Sequence, residues 1–194
     1  MIQNDADSAF KVLAQKLIKE HWEFYPTAGS RIGQHQYDGR IPDMSPAQNV
    51  RRVRELQGGL TALQGMDIAV LSDTGRMSYQ MMELFLRREL FTFNELKPLE
   101  NNPMRHMGVL NISGYIRRNY APSEDRLRSA ATVMRQAPEF LNVLDQALSK
   151  QLSSHVVDMS VESYSGMARF YRVDLAAASN GITDSKVIKE FDRA

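Results

Sequence analysis

Apolar residues recur at three- and four-residue steps along nearly the whole chain, and no segment alternates apolar with polar residues in the manner of a strand. Steps of that length stack side chains on one face of a helix. A chain so patterned has to bury helix against helix. The predicted class is therefore all-α: an irregular bundle of about seven or eight helices with no significant sheet, several joined by short loops. At 194 residues, with 43% hydrophobic and 24% charged residues, there is enough apolar material for one domain with a proper core. A single helical domain over residues 1–194 is the expectation.

The spacing predicts a first helix from Asp7 or Ser8 to about Phe24, with Phe10, Leu13, Leu17 and Ile18 inward. A loop follows. Ser45-Pro46 then reads as an N-cap and first helical residue. The helix they open carries an apolar stripe of Val50, Val53, Leu56, Leu60 and Leu63, weakened in the middle by Gly58 and Gly59. Ser72 caps a third helix to about Phe93, with Met77, Met81, Leu84, Phe85 and Arg88 on one face and Glu83–Arg87 as a supporting pair. Pro98 and Pro103 break the chain. One or two short helices are expected over Met104–Arg118, interrupted at Gly114.

Ser123 reads as the next N-cap, with Glu124 and Asp125 in a first turn whose dipole favours anions. That helix should stop before Pro138 and another restart there, running to about Leu152 and burying Leu141, Leu144 and Leu148. A further pattern spans His155 to Ala178 through Val157, Val161, Tyr164, Phe170 and Tyr171. Asn180-Gly181 ends it, and Thr183 or Asp184 starts a last helix with Val187, Ile188 and Phe191 on one side. That last pattern is cut at Ala194 without a glycine or proline stop, as at a natural C-terminus or at a fragment boundary inside a longer protein.

Composition narrows the chemistry. Absence of cysteine excludes disulfides, thiolate–zinc sites and a cysteine nucleophile. A net charge of +1 argues against a dedicated nucleic-acid binder, and Arg117-Arg118 is too short for a basic stripe. No apolar run reaches the ~20 residues needed to span a bilayer. The polar N-terminus lacks a signal pattern, so the chain as written is expected to be soluble and cytoplasmic, or periplasmic or secreted if a leader has been removed.

The four histidines, His21, His35, His106 and His155, lie far apart and form no His-Glu-x-x-His motif. His155, Asp158 and Glu162 share a helix face and make the best candidate metal cluster, although such a face is more often simply solvated. No Gly-x-Ser-x-Gly elbow and no phosphate-cradling glycine loop is present. Met77, Met81, Met82, Met104 and Met107 fit a methionine-filled core better than a pliable binding groove.

The segment GSRIGQHQYDGRIPDMSP, residues 29–46, gathers His35, Tyr37, Asp38 and Asp43 in a stretch with three glycines. These four are candidates for a cleft wall or for a structural loop. The structural reading has a specific device, since the Asp38 side chain can bond backbone N–H groups two residues on. Asp43 precedes the Ser45 cap and can order the helix entry.

The FYP pair-and-proline at a helix end, then IGQHQYDGRIPDMSP, resembles the N-terminal region of the bacterial domain-of-unknown-function family 885. LTALQGMD, LSDTGRMSYQMMELFLRRELF and the segment from NNPMRHMG to PEFLNVLDQAL are similar to that family in the same order. The likeness runs from about residue 8 to 190, and its most specific string is Gly-x-His-x-Tyr-Asp. The resemblance implies a largely helical protein of several hundred residues, related to gluzincin zinc metallopeptidases, with its zinc motif later in the chain. No position here matches that motif, so no ligand or catalytic glutamate carries over. The expectation is a non-catalytic N-terminal domain that walls or lids a peptide-binding cleft. Zinc and catalysis would be supplied by the remainder of the polypeptide. The alternative is a free-standing helical module that binds a protein or peptide through its methionines.

Overall fold

The computed structural model describes residues 2–174 and is all-α. Eight α-helices are present among the described residues: α1 (Ile2–Phe24), α2 (Pro26–Arg31), α3 (Pro46–Gln64), α4 (Asp73–Phe91), α5 (Pro98–Asn101), α6 (Ser113–Arg117), α7 (Ser123–Ala147) and α8 (Ser154–Arg169). Short 3-10 turns lie at His35–Tyr37, Ile68–Val70 and Pro103–Leu110, and single π-turns extend α4 and α8. The expectations for the last helix, with Asn180-Gly181, Thr183, Val187, Ile188 and Phe191, lie outside the described residues.

The helices gather into two compact units. Among the described residues, one comprises residues 2–24 and 45–97, the other residues 25–44 and 98–174. In the first, α1, α3 and α4 pack on one another around Phe10, Leu17, Leu56, Leu63, Leu71, Tyr79 and Leu86. Both expected caps form. The Ser45 hydroxyl accepts from the Gln48 N–H at 3.4 Å and the Ser72 hydroxyl from the Gly75 N–H at 3.0 Å. Asp7 adds a second cap from outside α4 by accepting the Ser72 N–H at 3.1 Å. The Glu83–Arg87 pair closes at 2.6 Å.

Helix phase departs from the sequence expectation. α1 begins at Ile2, with Asp5 in its first turn. The stripe of α3 that enters the core is Arg52, Leu56, Gly59 and Leu63, and Val50 is exposed. On α4 the buried residues are Gly75, Tyr79, Leu86 and Glu89, whereas Met77, Met81 and Leu84 are 58%, 66% and 69% exposed. The methionine-core reading fails for Met77 and Met81. Rotating α4 to bury Tyr79 and Leu86 against α1 and α3 turns that row outward. Arg52 is only 2% exposed, with its guanidinium 5.4 Å from the Phe24 ring centre and its Nη2 3.5 Å from His21 Nδ1.

In the second unit the core is Ile112, Tyr115, Leu127, Ala130, Ala131 and Val133, with Phe170 and Tyr171 packed against it. The chain forms a short helix from Pro98 and a 3-10 segment from Pro103, and the break before α6 falls at Asn111-Ile112, leaving Gly114 inside α6. Two expectations for α7 are corrected. Pro122 takes the N-cap position and Ser123 becomes the first helical residue, its hydroxyl donating to Glu124 at 3.2 Å. The helix also runs unbroken through Pro138. An internal proline costs ~3 kcal/mol, but α7 buries Leu127 and Val133 before it and Phe140 and Leu144 after it, each worth roughly 1.5–3 kcal/mol. Continuity wins because both halves are anchored in packing. Leu141 and, on α8, Val157 and Val161 are exposed, against expectation. α8 is fixed instead by Tyr164, whose hydroxyl donates to the Pro103 carbonyl at 3.0 Å.

Candidate functional site

Residues 29–44 of the glycine-rich loop lie within the second unit and form a hydrogen-bonded block there. Pro26 at the start of α2 and two close approaches shape it. A Cβ on Gly29 would lie 2.9 Å from the Tyr37 ring, so only glycine lets that ring tuck beneath α2. Gly39 has φ +76°, and a Cβ there would meet the α7 backbone at Ser129. Gly39 N–H donates to the Tyr115 hydroxyl at 3.0 Å, and its carbonyl accepts from Gln136 Nε2 at 2.8 Å.

Asp38 is the hub. Its carboxylate accepts from the Ser30 hydroxyl, from His35 Nδ1 at 3.1 Å and from the Tyr120 hydroxyl at 2.8 Å. These are side-chain donors, not the backbone N–H groups expected two residues on. The His35 ring stacks on Tyr120, with centroids 3.8 Å apart and planes 8° from parallel. Burial first, then the hydrogen bond to Asp38, holds the Tyr120 phenol well above its ordinary range, so it acts as a fixed donor at neutral pH.

Beside this block opens a cleft of about 320 Å³, lined by Ser30, Arg31, His35, Tyr115 and Tyr120 together with Arg117 and Arg118 of the α6 end. No carboxylate is among its lining residues. The arginine segment is held by backbone carbonyl contacts. Arg126 Nη1 donates to the Tyr115 and Arg118 carbonyls at 2.7 Å each, and its Nε to the Ala121 carbonyl at 2.9 Å. Arg118 Nη1 donates to the Arg31 carbonyl at 2.9 Å, and Arg31 donates to the Gly108 carbonyl.

A second cleft of about 340 Å³ adjoins the first and shares Asn111, Ser113 and Arg117 with it. Its other walls are mainly apolar: Met107, Leu110, Met167, Phe170 and Tyr171. The Tyr171 hydroxyl donates to the Leu110 carbonyl, and burial pushes its pKa up to about 12. The first unit carries a separate apolar groove of about 720 Å³ along α1 and α4, edged by Ile18, Met81, Met82 and Phe85.

Of the four loop candidates, the structure thus gathers His35, Tyr37 and Asp38. Tyr37 is buried beneath α2, Asp38 organises the block and His35 faces the cleft. Asp43 is exposed and outside the cleft lining. His155, Asp158 and Glu162 lie exposed on α8, and no group of three His, Asp or Glu among the described residues is placed to hold a metal ion. The described residues therefore do not fit a zinc centre. Sequence reasoning missed Arg31, Tyr115, Tyr120 and Arg126. The available signal was SGYIRRNYAP, two tyrosines and two arginines within six residues between a glycine and a proline.

No functionally curated protein matches the chain in sequence. Among solved structures it is similar to a putative lipoprotein of unknown function from Shewanella oneidensis, with TM-score 0.81 and 21% identity, over 95% of this chain and 35% of that one. The chain therefore spans about a third of that protein's length, and the likeness shows a shared fold. No helix among the described residues is long and apolar enough to cross a membrane. The profile of the family described as bacterial protein of unknown function, DUF885, matches residues 26–191, which include the loop, the arginine cleft and its apolar neighbour, and the chain belongs to that family.

Proposed function

We propose that this chain is a non-catalytic helical wall or lid of a peptide-binding cleft in a zinc-metallopeptidase-like protein, the reacting groups being supplied from other residues of a longer polypeptide. The observation that carries this reading is the pair of adjoining clefts in the second unit, one edged by arginines and polar donors, the other apolar. A peptide presents charged or polar backbone groups beside apolar side chains, and such a surface complements both. Further support comes from the Shewanella oneidensis structure, in which a similar fold occupies about a third of a longer chain. The described residues hold no metal-ligand set, so zinc-dependent hydrolysis by them is not expected. Incubating the 194 residues with zinc and a mixed peptide library should give saturable binding by calorimetry and no new cleavage products by mass spectrometry. Chelator-sensitive turnover would refute the non-catalytic assignment.

A second reading, a free-standing interaction module, draws on the outward row of Met77, Met81 and Leu84 on α4 beside the groove of the first unit. Under that reading Met81→Glu with Leu84→Glu removes peptide binding. Under the first reading the double change leaves it intact.

A further inference from the structure

We propose that the two adjoining clefts of the second unit form one subsite for the C-terminal residue of a peptide, the arginine side taking its free carboxylate and the methionine–aromatic side its apolar side chain. The inference rests on the peptide-cleft reading and narrows it to one ligand end and one side-chain class.

The charge arrangement selects an anion. Arg31, Arg117 and Arg118 line one cleft, and no carboxylate lines it with them. The nearby acid, Asp38, already accepts from Ser30, His35 and Tyr120. Arg31 and Arg118 are positioned by their bonds to the Gly108 and Arg31 carbonyls. Arg117 is exposed, and no hydrogen bond or ion pair among the described residues engages it. Its guanidinium fork is thus available, and a planar fork matches a carboxylate through two parallel hydrogen bonds.

The second cleft selects the class of anion. Arg117, Asn111 and Ser113 border both spaces, so a ligand gripped by Arg117 has its next group beside Leu110, Met167 and Phe170. Methionine walls adapt to differing apolar shapes. One oxyanion joined within a single residue to one apolar group describes a peptide end with Leu, Met or Phe last. Inorganic phosphate offers nothing to the apolar side.

Calorimetry on the full chain tests this with a tetrapeptide ending in Phe, its C-terminal amide, and inorganic phosphate. The free acid should bind about tenfold or more tightly than the amide, the usual effect of losing a hydrogen-bonded charge. Arg117→Ala should bring the acid down to the amide's affinity while leaving the thermal midpoint unchanged, and Arg117→Lys should restore part of the difference. Equal binding of acid and amide sinks the carboxylate assignment and leaves the peptide-cleft reading standing. So does an acid–amide difference that survives Arg117→Ala, or phosphate competing as well as the acid. Binding of neither peptide sinks both readings.

Discussion

Gly58 and Gly59 sit side by side in α3 and look equivalent in sequence, yet their surroundings give them opposite responses. A Cβ on Gly58 meets nothing within 4 Å, so Gly58→Ala should stabilise the protein by about 1 kcal/mol through helix propensity alone. A Cβ on Gly59 would lie 2.5 Å from Leu17 Cδ2 inside the first core, and the cost of overpacking, about 1–3 kcal/mol, cancels or exceeds that gain. Urea unfolding of the two variants should show only the first shifted upward. His21 shows a charge effect at the same scale. Burial first, then Arg52 and Arg88, lowers its pKa from 6.5 to about 4, outweighing the Glu89 carboxylate 3.9 Å away. Below pH 6.5 the unfolded chain takes up a proton that the folded chain refuses until about pH 4. Stability should therefore fall as pH drops through that window, by about 2–3 kcal/mol in total. His21→Gln should flatten that part of the pH–stability curve, and an unchanged slope would contradict the burial argument.

Among the elements, α7 carries the clearest stored cost. Pro138 is exposed within a continuous helix, so its ring contributes little packing while its missing N–H leaves a gap in the hydrogen-bond ladder. Pro138→Ala should stabilise by about 1–2 kcal/mol, less than the full helix-interior penalty because alanine also frees the unfolded chain. A lower melting temperature for this variant would mean that the proline ring is needed at that position. α4 teaches a different lesson. Its boundaries were legible from Ser72, but its rotation was not, because Met77, Met81 and Leu84 form as good an apolar row as the one that is buried. Amphipathic periodicity identifies a helix. Where two rows compete, the neighbouring helices choose between them.

Across the whole molecule, each compact unit has its own core, and damage to one core should be felt first within it. Leu63 is fully buried in the first unit, so Leu63→Ala should cost about 2–5 kcal/mol. Hydrogen exchange should accelerate in α1, α3 and α4 before it does in α7. Uniform acceleration through both units would show a single cooperative block instead. The fold class and the family were legible at this scale, since helical spacing extends throughout and the loop motif GQHQYDG is distinctive. The cleft was only half legible. His35, Tyr37 and Asp38 stood out by their types, whereas Arg117-Arg118 looked like an ordinary surface pair until Arg31 and Tyr120 came beside it.

What the chain's own order of residues determined was local: helices, the Ser45 and Ser72 caps, the Glu83–Arg87 pair and the need for glycine at a loop turn. Each depends on groups within a few positions of one another, where backbone geometry alone brings them together. The tertiary structure decided which helix faces are buried, that α7 passes through Pro138, and that the loop meets the α6 end. Ser30 reaches Tyr115 across 85 positions and Asp38 reaches Tyr120 across 82. Contacts that distant depend on how the helices pack, which no local spacing encodes.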